Sequence, residues 1–228
     1  MSVEVASASP FGLGKFLVLE GIEGSGKTTQ LTYLEQELTA LGHPPVLTRE
    51  PGGTALGERL RGLLLDPDLP GMHADAELLL MFAARAQHLA EVIRPALEAG
   101  RWVVSDRFTD ASYAYQGAGR GLGMQRIGVL EDWVQADLRP DLVILLDIDP
   151  AAGLERALQR GRRDRIEREA LDFFARARDA YRARAEADPA RYLVVDAADT
   201  PEGVRERILA GVRARLANAA QGRGDGGG

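Results

Sequence analysis

The stretch GIEGSGKTT at 21–29 follows directly on the apolar run KFLVLE at 15–20. Gly21, Gly26, Lys27 and Thr28 stand in the fixed places of G-x-x-x-x-G-K-[ST], with Ile22, Glu23, Gly24 and Ser25 between them. A strand, a glycine turn and a helix start in that order turn backbone N–H groups inward at the positive end of a helix dipole, which makes an anion site. In such a loop the lysine, Lys27, reaches the β- and γ-phosphates of a nucleoside triphosphate, and the Thr28 hydroxyl ligates its Mg²⁺. Lys15 and Lys27 are the only lysines among 28 basic residues. Lys27 therefore stands where a compact ammonium is needed and a planar guanidinium does not substitute.

The alternation of apolar runs and helical patterns continues along the chain. KFLVLE, PVLTRE, WVVSDR, DLVILLDID and RYLVVDA read as buried strands, so the fold class is α/β, a parallel sheet covered by helices. The helix opening at Gly26 carries Leu31, Leu34, Leu38 and Leu41 on one face and stops at Gly42, with Pro44 and Pro45 beyond. A long helical pattern from Asp75 to Ala99 contains Pro95, which predicts a kink or an early end. Thr200 as N-cap and Pro201 behind it open a last helix whose apolar stripe is Val204, Ile208, Leu209 and Val212. Residues 1–14 and 218–228 are small and Gly- or Ser-rich without periodicity, predicting flexible ends around one domain at 15–217. A chain of 228 residues, 45% of them hydrophobic, suffices for one large core.

Composition removes several classes of function. A net charge of -6 argues against a surface that coats nucleic acid, because phosphate-backbone binding relies on basic excess. Without cysteine there are no disulfides or thiolate metal sites. No leader-like start and no apolar run of membrane-spanning length are visible, which predicts a cytoplasmic protein with no membrane partner. The sole asparagine is Asn218, so the Asn-Lys-x-Asp guanine-reading motif of GTP switches is absent.

Asp106 and Arg107 end the run WVVSDR, and in an open parallel sheet they fall at the carboxyl edge beside the phosphate loop. An acid there can hold Mg²⁺ through water, and an arginine can hold a second phosphate bidentately; a plain strand-end salt bridge is the alternative. TREPGGT supplies Arg49 and Glu50 to the same crevice. The segment QGAGRGLG at 116–123 lacks the last glycine of G-x-G-x-x-G and no strand directly precedes it, so it reads as a loop rimming the acceptor pocket.

The motifs GIEGSGKTT, TREPGGT, FAARAQH, SDRFTDASYAYQG and RRDRIEREALDFF, in this order and spacing over about residues 15–215, make the chain resemble the thymidylate kinases. The resemblance implies a P-loop NTPase fold with a five-stranded parallel sheet in the order 2-3-1-4-5 and a mobile lid near 160–170. It implies transfer from ATP to dTMP with Mg²⁺, and a homodimer. Arg107 corresponds to the arginine that binds the acceptor phosphate, Arg49 lies near the same group, and Glu23 matches the residue that meets the deoxyribose 3'-hydroxyl. Arg85 is implied as the donor to a thymine carbonyl, with Ser112, Tyr115 and Gln116 lining the pocket. Phe82, three residues before Arg85, can share its helix face and stack on a pyrimidine. It can equally be a core side chain, and Met81 can take the stacking position.

The run RGRRDRIER places Arg160, Arg162, Arg163, Arg165 and Arg168 close together. Balanced by Asp164, Glu167 and Glu169, two or three of them make an ordinary solvated face. Phosphoryl transfer between two phosphates needs mobile positive charge, however, and Ile22 to Ser25 contain no basic residue. Arg160 and Arg165 match the lid arginines best. Two other readings compete: a deoxynucleoside kinase, which needs a base such as Glu50 or Asp106, and a non-catalytic ATP-binding switch, in which the convergent arginines have no purpose.

Overall fold

A computed structural model describes residues 14–69, 71–159, 164–167 and 169–221. The apolar runs form β1 (Phe16–Glu20), β2 (Val46–Arg49), β3 (Val103–Asp106), β4 (Leu142–Asp147) and β5 (Tyr192–Asp196). All pairings are parallel and the order is β2-β3-β1-β4-β5, as the resemblance implies.

Parallel strands need crossovers, and the amphipathic segments supply them on both faces. They are α1 (Lys27–Ala40), α2 (Ala55–Leu65), α3 (Ala74–His88), α4 (Arg94–Glu98), α5 (Thr109–Ser112), α6 (Met124–Gln135), α7 (Pro150–Leu158), α8 (Leu171–Ala187) and α9 (Pro201–Gln221). The period of two divides β1 between two cores. Leu17 and Leu19 join Leu34 and Leu38 of α1 and Phe174 and Tyr181 of α8, whereas Phe16 and Val18 join Leu89, Ile93 and Phe108. Each fully buried apolar side chain contributes about 1.5–3 kcal/mol, so the central strand has little tolerance for polar substitution.

Helix ends follow the expected chemistry. Gly42 takes φ 85° after α1, where its N–H reaches the Thr39 carbonyl and the His43 N–H the Leu38 carbonyl. Leu41, expected on the apolar face, is at the cap and exposed. Thr200 caps α9 through its Oγ1 on the Gly203 N–H, and Val204, Ile208, Leu209 and Val212 are buried. The pattern around Pro95 behaves differently from a broken helix. A π-type turn at Leu89–Ile93 links α3 to α4, and Pro95 falls in the first turn of α4, where a missing N–H costs least. The last helix runs to Gln221, past the boundary placed at 217. The remainder of the expected flexible ends, 1–13 and 222–228, lies outside the described residues, as do Arg160, Arg162, Arg163 and Arg168.

Every strand ends in a charged residue: Glu20, Arg49, Asp106, Asp147 and Asp196. Apolar burial thus stops at one edge of the sheet, and the register sets Asp106 beside both Leu19 and Arg49. That edge is where ligands bind in open parallel sheets.

Candidate active site

A cleft of about 490 Å³ opens at this edge, walled by the loop after β1, the ends of β2 and β3, and α3. Two glycines shape the loop. Gly24 takes φ 74° with its Cβ direction 1.9 Å from the Gly153 carbonyl oxygen, so no side chain fits there, and Gly26 takes φ 90° immediately before α1. No side chain caps α1, which leaves first-turn N–H groups for an anion. Lys27 Nζ donates to the carbonyls of Gly21 at 2.9 Å and Ile22 at 3.3 Å. Burial, and then the charge of Arg107, bring its pKa down to about 8.

Arg107 holds φ 72°, a left-handed conformation that costs a non-glycine residue about 1–2 kcal/mol. Its Nη1 donates to the Gly21 carbonyl at 3.0 Å and the Tyr181 hydroxyl at 3.2 Å, and its Nη2 to Glu23 Oε1 at 2.8 Å. The guanidinium lies 4.9 Å over the Tyr115 ring, and the Tyr115 hydroxyl donates to Glu23 Oε2 at 2.7 Å. Glu23, Arg107 and Tyr115 are thereby one cluster.

Behind it stands Glu20, which the sequence reading left as the end of an apolar run. Its carboxylate is fully buried and accepts from the N–H groups of Phe108 and Ala111 and from the Tyr181 hydroxyl. Burial, with Asp110 adding to it, pushes its pKa up to about 7. It ties the strained turn at Arg107 to β1. Its place at the end of an apolar strand does not set it apart in the sequence, since all five strands end in a charge, yet burying that charge costs several kcal/mol unless it is paired.

Behind the deep end of the cleft, and not among its lining residues, stand Arg85 and Ser112, both fully buried; the Arg85 contacts support Glu50 of the lining. Arg85 Nε donates to Glu50 Oε2 at 2.7 Å, and its Nη2 to the Phe108 carbonyl and to Ser112 Oγ, both at 3.1 Å. Its Nη1 has no hydrogen-bond partner among the described residues. Gln116 Nε2 donates to Glu77 Oε1 at 2.8 Å, while Gln116 Oε1 is buried without a partner among the described residues. Glu50 is also bonded through Oε1 to His88 Nδ1 at 3.0 Å. With both oxygens engaged, Glu50 is poorly placed as the base that a deoxynucleoside kinase needs.

Three expected positions differ. Phe82 is a core residue: the Arg85 guanidinium lies 4.5 Å over its ring, and it packs with Leu78, Tyr113 and Ile127. Met81 lines the cleft instead, because one residue along a helix rotates a side chain by 100°. Arg49 turns outward to Glu58 at 2.8 Å, its side chain 51% exposed, and the cleft receives Arg61 from α2, whose Nη1 donates to the Pro51 carbonyl at 3.0 Å. Gly57, Arg61 and Leu64 share the inner face at i, i+4 and i+7, a spacing legible in ALGERLRGLLL. Arg165 binds away from the phosphate loop, with its Nε on the Leu64 carbonyl at 2.9 Å and its Nη2 on Glu77 at 2.6 Å. Arg156 of α7, also unforeseen, lines the cleft and bridges to the carbonyls of Ala197 and Ala198.

For a metal, Asp106 Oδ1 is buried without a partner, and both Asp106 and Thr28 line the cleft. Among the described residues no three His or acidic side chains gather. One carboxylate and one hydroxyl suit Mg²⁺, which keeps waters and takes its other ligands from nucleotide phosphates.

A sheet in this order, with a phosphate loop after its central strand and a second cationic site across the cleft, defines a P-loop nucleotide kinase. The thymidylate kinase family model matches residues 19–208. The chain is 57% identical over 202 residues to a thymidylate kinase of Halorhodospira halophila, covering 87% of this chain and 94% of the relative. It is 61% identical over 185 residues to one of Pseudomonas savastanoi pv. phaseolicola, covering 81% and 88%. A crystal structure of thymidylate kinase from Ehrlichia chaffeensis superposes with a TM-score of 0.73 at 32% identity, covering 87% of this chain and 98% of that one. The chain belongs to the thymidylate kinase family.

Proposed function

We propose that this chain transfers the γ-phosphate of ATP to dTMP, giving ADP and dTDP. One observation carries the choice of base: among the described residues a donor, Arg85 Nη1, is buried without a partner just behind the cleft lining, and so is an acceptor, Oε1 of the lining residue Gln116, one turn beyond the Ser112 that Arg85 binds. A thymine edge offers the complement, a carbonyl O4 and an N3–H. Cytosine offers an amino group and a bare N3, each facing a group of its own kind, and unpaired buried polar groups are strongly penalised. Met81 packs against the base, Tyr115 and Glu23 hold the deoxyribose end, and Arg107 with Arg61 takes the 5'-phosphate.

The acceptor oxygen is anionic near neutral pH, since the second pKa of a phosphate monoester is about 6. No general base is required, so catalysis consists of alignment and neutralisation of charge. Lys27 and the loop N–H groups hold the β- and γ-phosphates of ATP. Thr28 and Asp106 would hold Mg²⁺, which would supply positive charge to the phosphates. Arg160 brings further positive charge from the lid, while Arg165 docks the lid on Glu77. Arg160→Ala is expected to lower kcat by about 10²-fold with little change in KM for dTMP; a raised KM at unchanged kcat would assign Arg160 to ground-state binding.

The reading is tested by coupled ADP release over dTMP, dUMP, dCMP and thymidine. dTMP should be preferred, dUMP weaker and thymidine inert. Turnover of thymidine above dTMP would make the chain a nucleoside kinase, and no stimulation of ATP use by any of them would favour a non-catalytic switch.

The same proposal includes a homodimer in the cytoplasm. Leu56 and Leu63 of α2, Leu79 of α3, and Val129 and Trp133 of α6 are between 46% and 80% exposed. The three helices pack side by side, so these residues form an uncovered apolar face, which a second copy covers. Trp133→Glu is expected to convert the dimer to monomer in light scattering; a dimer that persists would place the interface elsewhere. Among the described residues no helix is long and apolar enough to cross a membrane.

A further inference from the structure

Glu77, in the first turn of α3, is fully buried. It accepts from Gln116 Nε2 at 2.8 Å, Arg120 Nε at 3.3 Å and Arg165 Nη2 at 2.6 Å, with Arg120 Nη2 3.2 Å away. Burial by itself would raise its pKa, but Gln116, Arg120 and Arg165 outweigh burial and hold it below the usual carboxylate range. The carboxylate is therefore ionised at neutral pH and can only accept.

An amide is a side chain whose donor and acceptor exchange by a half-turn of its last torsion. Left alone, Gln116 could offer the cleft either group. Beside an acceptor-only partner it cannot: Nε2 must face Glu77, and Oε1 is left unpartnered in a residue that lines the cleft. We propose that Glu77 is the positioning residue that fixes the hydrogen-bonding polarity of the base pocket, and so selects a base with an N–H at ring position 3. The inference rests on the base-reading roles proposed for Arg85 and Gln116. Glu77 also lines the cleft, but its carboxylate is taken up by Gln116, Arg120 and Arg165, so it acts on the base through Gln116. Because Arg165 binds the same carboxylate, base polarity and lid docking share one anchor.

Glu77→Gln preserves shape but supplies both a donor and an acceptor, which frees the Gln116 amide to turn. The measurement is the ratio of kcat/KM for dTMP to that for dCMP on a single preparation, which is independent of the fraction correctly folded. In Glu77→Gln the ratio is expected to fall about 10²-fold, as the dTMP value drops and the dCMP value rises. Gln116→Ala, which removes the acceptor, should lower the ratio as well. Arg165→Ala, which frees the lid but keeps the carboxylate, should leave the ratio at the wild-type value. A wild-type ratio in Glu77→Gln alongside a lowered one in Gln116→Ala would overturn the role of Glu77 while sparing the base reading. A wild-type ratio in Gln116→Ala would remove the base reading and the inference with it. A ratio lowered equally by Arg165→Ala would assign the effect to the lid and overturn the proposal.

Discussion

Lys27→Ala is expected to lower kcat by about 10³-fold or more while leaving the thermal unfolding midpoint nearly unchanged. The two halves of that result have separate causes. Among the described residues the Lys27 ammonium donates its hydrogen bonds to the loop carbonyls of Gly21 and Ile22, and its side chain belongs to neither core cluster, so little stability is at stake. In transfer, negative charge on the phosphate oxygens has few other fixed cations near the loop. Burial and Arg107 already bring the lysine down to about pKa 8, so it is half neutral at that pH before nucleotide arrives. Phosphate favours the charged form, so binding takes up a proton there and ATP affinity should weaken as pH rises through about 8. Titrating ATP binding against pH in the wild type and in Lys27→Ala checks this directly. A mutant that keeps the same pH dependence would show that another group is responsible.

The five strands and the phosphate loop were legible because both rest on local, strongly periodic signals, five apolar runs and a glycine pattern that steric limits impose, whereas the order of the strands came from the family resemblance. Which side chains come together was legible where a residue sits in a turn of fixed geometry: Glu23, Lys27 and Arg107 line one cleft, as their motifs place them. It was less legible on helices, where a shift of one residue changes which wall a side chain faces. For that reason Met81, weighed against Phe82 in the sequence, lines the cleft while Phe82 packs in the core, and Arg61 lines it where Arg49 does not, because a strand's last side chain can turn outward to Glu58 whereas an inner helix face cannot. Glu20, Glu77 and Tyr181 were missed for another reason. Each acts by meeting partners far away in sequence, such as Tyr181 on Glu20 across 161 positions, and no local pattern announces such a contact.

Arg107→Ala is expected to lower kcat/KM for dTMP by about 10³-fold or more. The side chain is the cation best fixed in place at the acceptor end: it is bonded to Gly21, Tyr181 and Glu23, stacked on Tyr115, and carried on a left-handed turn that Glu20 secures from behind. So much local structure around one guanidinium is an investment in position, and a bidentate hold on a phosphate needs position. Removal also leaves the Glu23 carboxylate without its cation beside the phosphate, so repulsion adds to the lost attraction. Most of the loss should appear in KM for dTMP, with KM for ATP changing far less. A second readout separates this from general damage. Arg107 is one of the causes that depress Lys27, so in Arg107→Ala the midpoint of the pH-dependent weakening of ATP binding should move upward. An unfolded or loosened site would abolish ATP binding at every pH instead. A midpoint that stays at the wild-type value would show that the two cations do not sense each other across the cleft, and that donor and acceptor phosphates are held in separate electrostatic environments.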